Sequence, residues 1–323
     1  MQMNVYGNIK NMLDSSTLIN CINENRAYLM GIAMICVIIY HAFCWVYNPI
    51  GYLNVGYCGV DIFLFLSGMG LSYSFEKNDI KTFYKNRFWR IYPLYFIAVS
   101  IAYALCHDRW NVTTYVANLT TVGYYIDGGI NSFDWYVNAL VTLYVSFPLF
   151  YYYSKTRYVG LSILTIAVFI YGVIYYHSIS YWYDCLISRL PIFLYGVMFP
   201  KCYKSSNVVA LIGLVVFIPC RLLSSKSLTT SFLVIPMIIF FLGILPQLPE
   251  KIKGAIEFCG KYSLEIYLAN ILIPRVFDIL NLNLVQKAVL YVAWEMIVAY
   301  MFILFSRRID AYRAHMRNST TDS

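Results

Sequence analysis

In the stretch MGIAMICVIIYHAFCW, residues 30–45, an imidazole interrupts an apolar run at His41. An ionisable group in hydrocarbon costs at least a few kcal/mol, so such groups face a bundle interior and are paired or functional. The same reasoning singles out Asp61, Arg189, Glu265, Arg275 and Glu295, each inside or near an apolar segment. His41 lies near the end of a segment expected at 27–47, and Asp61 near the start of one expected at 54–75. At about 1.5 Å per helical residue both sit roughly 9–10 Å below one surface, level on adjacent antiparallel helices. A carboxylate in reach of the imidazole would fix its tautomer, compensate a developing imidazolium and raise its basicity. That pairing makes a general base for a hydroxyl nucleophile. The competing reading is a packing histidine bonded to a carbonyl one turn back.

A second group of residues is KTFYKNRFWRIYPLY, 81–95. Lys81 and Lys85 are spaced i,i+4, and Arg87 and Arg90 i,i+3, so in a helix each pair shares a face. Guanidinium pairs suit bidentate capture of phosphate or pyrophosphate, and equally the phosphates of lipid headgroups.

The elements that position these residues follow from composition. The 323 residues are 60% hydrophobic and 12% charged, outside the soluble range. Segments near 27–47, 54–75, 91–106, 135–153, 158–176, 186–200, 207–223, 230–247, 262–280 and 287–305 approach the roughly 20-residue length of a spanning helix. The expected fold is therefore an all-α polytopic membrane protein, a single bundle of about ten transmembrane helices. With both termini cytoplasmic, 18 of the 24 basic residues, including Arg26, Lys85, Arg87, Arg90, Arg307 and Arg308, fall inside. The net charge of +8 then reflects topology and anionic headgroups rather than nucleic-acid binding.

Residues 1–26 read as a cytoplasmic segment with no removable signal, 27–306 as one membrane domain and 307–323 as a short cytoplasmic tail. Nine cysteines without CxxC or metal spacing read as small hydrophobes, and no metal site is expected. The sequons at Asn111, Asn118 and Asn318 carry little weight.

Three stretches resemble the acyltransferase family 3 membrane domain, found in bacterial integral-membrane O-acyltransferases that modify surface polysaccharides. RAYLMGIAMICVIIYHAF is similar to the family's opening helix with its late histidine. GYCGVDIFLFLSGMGLSYSF, 56–75, is similar to its GVDIFFVLSGF signature and contains Asp61, Ser67 and Gly68. FYKNRFWRIYPLYF is similar to its RRFLRIYPLY pattern, with Arg87 and Arg90 as the RxxR pair. DWYVNALVTLYVSFPLF, SRLPIFLYGVMF and GKYSLEIYLANILI extend the likeness almost end to end. Three positions depart from the pattern: Met30 replaces a basic residue eleven before the histidine, Leu140 lies where an acidic residue is common, and Asn270 replaces a late histidine.

The resemblance implies a donor acyl-CoA, acetyl-CoA above all, bound from the cytoplasm, with Arg87 and Arg90 near its phosphates and Arg26 and Lys85 as further candidates. It implies His41 as the catalytic residue, with Asp61 as its signature aspartate. His41 either deprotonates the acceptor or carries the acyl group as an acyl-imidazole. The acceptor would be a carbohydrate or glycolipid, as in capsule, exopolysaccharide or lipopolysaccharide O-acetylation. It would arrive at the outer face of the bacterial inner membrane past Trp135 and Tyr136. Either this domain acts on the acceptor directly or a separate extracytoplasmic transferase completes the step. The rival class is a polytopic transporter or export component, which would account for Glu265, Arg275 and Glu295; the inverted repeats that mark many transporters are not evident.

Overall fold

The computed structural model describes residues 7, 9–10, 14–47, 56–106, 110–126, 133–157, 162, 165, 186–223 and 231–321. Among these, every regular element is helical and none is a strand. In chain order the helices are α1 (Ser15–Glu24), α2 (Arg26–Ala42), α3 (Cys58–Lys77), α4 (Ile80–Leu105), α5 (Val112–Leu119), α6 (Gly123–Ile126) and α7 (Trp135–Thr156). They continue as α8 (Leu190–Cys202), α9 (Ser206–Leu223), α10 (Val234–Ile244), α11 (Glu250–Lys261), α12 (Ser263–Ile279) and α13 (Leu284–Thr321).

Local chemistry sets several of these boundaries. Asp14, Asp79 and Asp134 cap α1, α4 and α7 by accepting from amides of the first turn, which would otherwise have no partner. At Asn25 the chain leaves helical geometry, and α1 and α2 meet at 77°. Residues 15–24, expected as part of a cytoplasmic segment, form an amphipathic helix that buries Leu18 and Ile22. Beyond Ala42, α2 runs on into a π turn over Phe43–Tyr47.

Helices α3, α4 and the Leu284–Met316 part of α13 are long and apolar enough to cross a membrane. The bent α1–α2 pair also passes that test if taken as one span. The other expected segments fall on helices as well, except 158–176, which lies almost wholly outside the described residues. Several are shorter than the roughly 20 residues a crossing needs: α8 has 13, α10 has 11 and α12 has 17. Hydropathy windows overestimate them because polar and proline-containing joints, such as the 3-10 turn Leu245–Gln247, end the helix while the run stays apolar. The face of α13 carrying Val285, Val289, Val292 and Met296 is exposed, the arrangement a lipid-facing helix requires.

Two close crossings define the scaffold. A Cβ on Gly31 would lie 1.9 Å from the Ile256 carbonyl oxygen, and one on Gly260 1.8 Å from that of Ala27, so α2 and α11 touch backbone to backbone. Gly68 and Gly196 do the same for α3 and α8, at 2.4 and 2.2 Å from the Phe193 and Phe65 carbonyls. The core gathers around α2, α3 and α12, with Trp294 Nε1 donating to the Ala269 carbonyl at 2.8 Å to fix α13 against α12.

Candidate active site

Helix α2 carries Arg26 at one end and His41 near the other, about 22 Å apart at 1.5 Å per residue. Three adjoining cavities lie between them. The outermost, a vestibule of about 620 Å³, is lined among others by Arg26, Arg87, Arg90, Glu257 and Lys261. A middle cavity of about 90 Å³ shares Met30, Ser67, Arg90 and Tyr144 with it. An inner one of about 20 Å³ shares Val37, Val60 and Tyr267 with the middle one and is lined by His41, Tyr57 and Trp135. The route narrows to room for about one water at the imidazole.

The vestibule has more positive than negative charge. Arg87 Nη2 donates to Ser74 Oγ at 2.8 Å, and its buried Nε has no hydrogen-bond partner among the described residues. Arg90 Nη1 meets Glu265 Oε1 at 3.3 Å and Nη2 the Lys261 carbonyl at 3.3 Å. Arg26 packs against Gly70, where a side chain would strike its guanidinium at 2.6 Å. An anion is the natural complement to such a cluster. Glu265 is fully buried; its Oε1 also accepts from Ser306 Oγ at 2.7 Å.

At the other end, His41 Nδ1 forms a short hydrogen bond with Asn270 Oδ1. Asn270, fully buried on α12, donates from Nδ2 to Tyr291 Oη at 2.5 Å and to Glu295 Oε1 at 2.6 Å, both on α13. Tyr291 in turn donates to the Ile38 carbonyl of α2 at 3.1 Å. Below this, Tyr267 donates to Asp134 Oδ1 at 2.5 Å, and Arg275 to the Phe133 carbonyl at 2.8 Å. Each of the residues Glu265, Arg275 and Glu295 that a transport reading called on thus has a definite partner.

The expected sites divide accordingly. Arg26, Arg87 and Arg90 converge on the vestibule, and Trp135 joins His41 at the inner cavity. Tyr136 lines the middle cavity instead, its ring edge-on to Tyr267 at 5.0 Å. Lys85 is exposed and outside the vestibule lining, because two residues before Arg87 is about 200° round the helix.

Asp61 requires a correction. Its carboxylate pairs with Arg189 Nε at 3.1 Å and accepts from Ser231 Oγ at 3.2 Å, with Asp61 and Arg189 both buried. The antiparallel register is set by Gly56 against the Cys36 carbonyl and Gly59 against that of Ala33. It places Asp61 level with about residue 33, roughly 12 Å along α2 from His41. The carboxylate joined to the imidazole through Asn270 belongs to Glu295.

A family model described as "Acyltransferase domain" matches residues 28–306. Over 157 residues the chain is 29% identical to ORF330 of Acidianus two-tailed virus, a protein named as an acetyltransferase. That alignment covers 45% of this chain and 46% of the relative, so the chain spans about half the length of the protein it matches. No solved structure matches the chain.

Proposed function

We propose, for a chain that belongs to acyltransferase family 3, the transfer of an acetyl group from acetyl-CoA to a hydroxyl of a carbohydrate or glycolipid across the membrane. The observation that carries this reading is the series of cavities with common walls from the Arg26, Arg87 and Arg90 cluster to His41. The donor's phosphates rest against the guanidiniums, and its slender pantetheine arm follows the cavities toward the imidazole. Side chains of the narrow inner cavity, Trp135 and Tyr57 among them, move aside to admit the thioester. The distribution of basic residues supports placing the Arg26 end and both termini in the cytoplasm, with about ten crossings of the inner membrane.

His41 Nε2 takes the proton of the acceptor hydroxyl as its oxygen attacks the thioester carbonyl. The tetrahedral adduct collapses, the C–S bond breaks, and the departing thiolate recovers the proton from the imidazolium. The ester and free CoA are the products, with no net proton change. CoA leaves by the vestibule and the ester by the opposite face.

Purified protein given radiolabelled acetyl-CoA and a panel of glycan acceptors tests the reading. His41→Ala abolishes ester formation and leaves CoA binding intact. Undiminished transfer by that variant refutes a chemical role for the imidazole.

A further inference from the structure

The hydrogen bonds around Asn270 form one self-consistent set of donors and acceptors. The Ile38 carbonyl can only accept, so the Tyr291 proton points to it and the Tyr291 oxygen accepts from Asn270. Glu295 Oε1 accepts the second amide proton, whether that carboxyl is ionised or carries a proton on Oε2. Both Nδ2 protons are therefore committed to α13, and the amide must present Oδ1 to His41. An amide oxygen accepts only, so Nδ1 of His41 carries a proton, and in the neutral ring Nε2 then carries the lone pair.

We infer that Asn270 is a positioning residue that sets the His41 tautomer through an amide whose orientation is dictated by Tyr291 and Glu295. This deepens the acyl-transfer reading, which needs the lone pair on Nε2, and it rests on that reading for its catalytic consequence. An orienting amide occupies the place where a paired aspartate had been expected, and it does so without adding a charge beside the imidazole. The device is held by three helices: α2 contributes His41 and the Ile38 carbonyl, α12 the amide, and α13 both of its acceptors. The Trp294 bond to the Ala269 carbonyl, adjacent in sequence to both Glu295 and Asn270, keeps α12 and α13 in the register this requires.

Nitrogen NMR of histidine-labelled full-length protein, with the His41 signals assigned from His41→Gln, reads the tautomer directly. The unprotonated ring nitrogen resonates far downfield of the protonated one. The expected wild-type state is protonated Nδ1 and unprotonated Nε2. Asn270→Leu mixes the tautomers and lowers kcat by about 100-fold or more, with donor KM within about twofold; loss of a tautomer-setting group elsewhere costs up to about 10⁴-fold. A CoA-binding stoichiometry equal to wild type shows that the variant is folded. A wild-type proton on Nε2 overturns the inference, as does an Asn270→Leu protein that retains a single Nδ1–H form. Transfer that survives in His41→Ala would instead sink the acyl-transfer reading and leave the tautomer measurement standing.

Discussion

The pairing of Asp61 with Arg189 makes a prediction that separates structural from chemical roles. At 3.1 Å, two unit charges in an environment of effective dielectric about 20 attract by roughly 5 kcal/mol. Removing one partner leaves a buried charge without compensation, and broken pairs of this kind cost about 3–5 kcal/mol. Asp61→Ala should therefore lower stability by about that amount and reduce activity in proportion to the folded fraction. Replacing both partners with apolar residues removes the uncompensated charge, and such swaps are often neutral or stabilising by about 1–4 kcal/mol. The double variant Asp61→Leu with Arg189→Met should recover wild-type stability. Its activity should lie within about tenfold of wild type, because Arg189 also lies over the Tyr57 ring at 5.2 Å, and Tyr57 walls the His41 cavity. Melting followed with a thiol-reactive dye, which reports exposure of the buried Cys58, measures the first quantity. Acetyl transfer measures the second. A double variant that melts like wild type but transfers nothing would show that Asp61 or Arg189 acts in the chemistry; an Asp61→Ala protein as stable as wild type would refute the reasoning about the pair.

Losing a charge-assisted hydrogen bond, worth about 1.5–3 kcal/mol, predicts that Arg87→Met raises donor KM roughly 10- to 100-fold with kcat little changed. Steady-state kinetics at varied acetyl-CoA would contradict this if kcat fell instead. Gly260→Ala drives a methyl into the Ala27 carbonyl and should cost about 1–3 kcal/mol or more, visible as a lower melting temperature. Gly254→Ala, in the same helix with nothing within 4 Å of the new methyl, should gain up to about 1 kcal/mol; equal effects at the two positions would mean that α2 and α11 are not in contact.

His41 and the arginine pair were legible because charge in an apolar run is a strong signal and because i,i+3 spacing puts Arg87 and Arg90 on one face. Most helices were legible from hydropathy. The partner of His41 was not, for two physical reasons. Depth was counted from expected segment ends, whereas the true register comes from glycine contacts that a single sequence does not display. The partner itself is a neutral amide 229 residues away, which neither charge nor local spacing reveals. Glu295 stood out as an unexplained acid, and only the fold joins it to the imidazole through Asn270. Helix α1 escaped hydropathy because only Leu18 and Ile22 of its ten residues are buried.

Arg26 and His41 share one uninterrupted helix, so the span between them is fixed by that helix's own hydrogen-bonded rise and does not depend on how other helices shift. Sliding or tilting of α4, α7 or α12 can widen or pinch the space beside that rod without lengthening it. A molecule held by Arg26 would therefore meet the ring at the same reach, as a workpiece meets the stop on a jig.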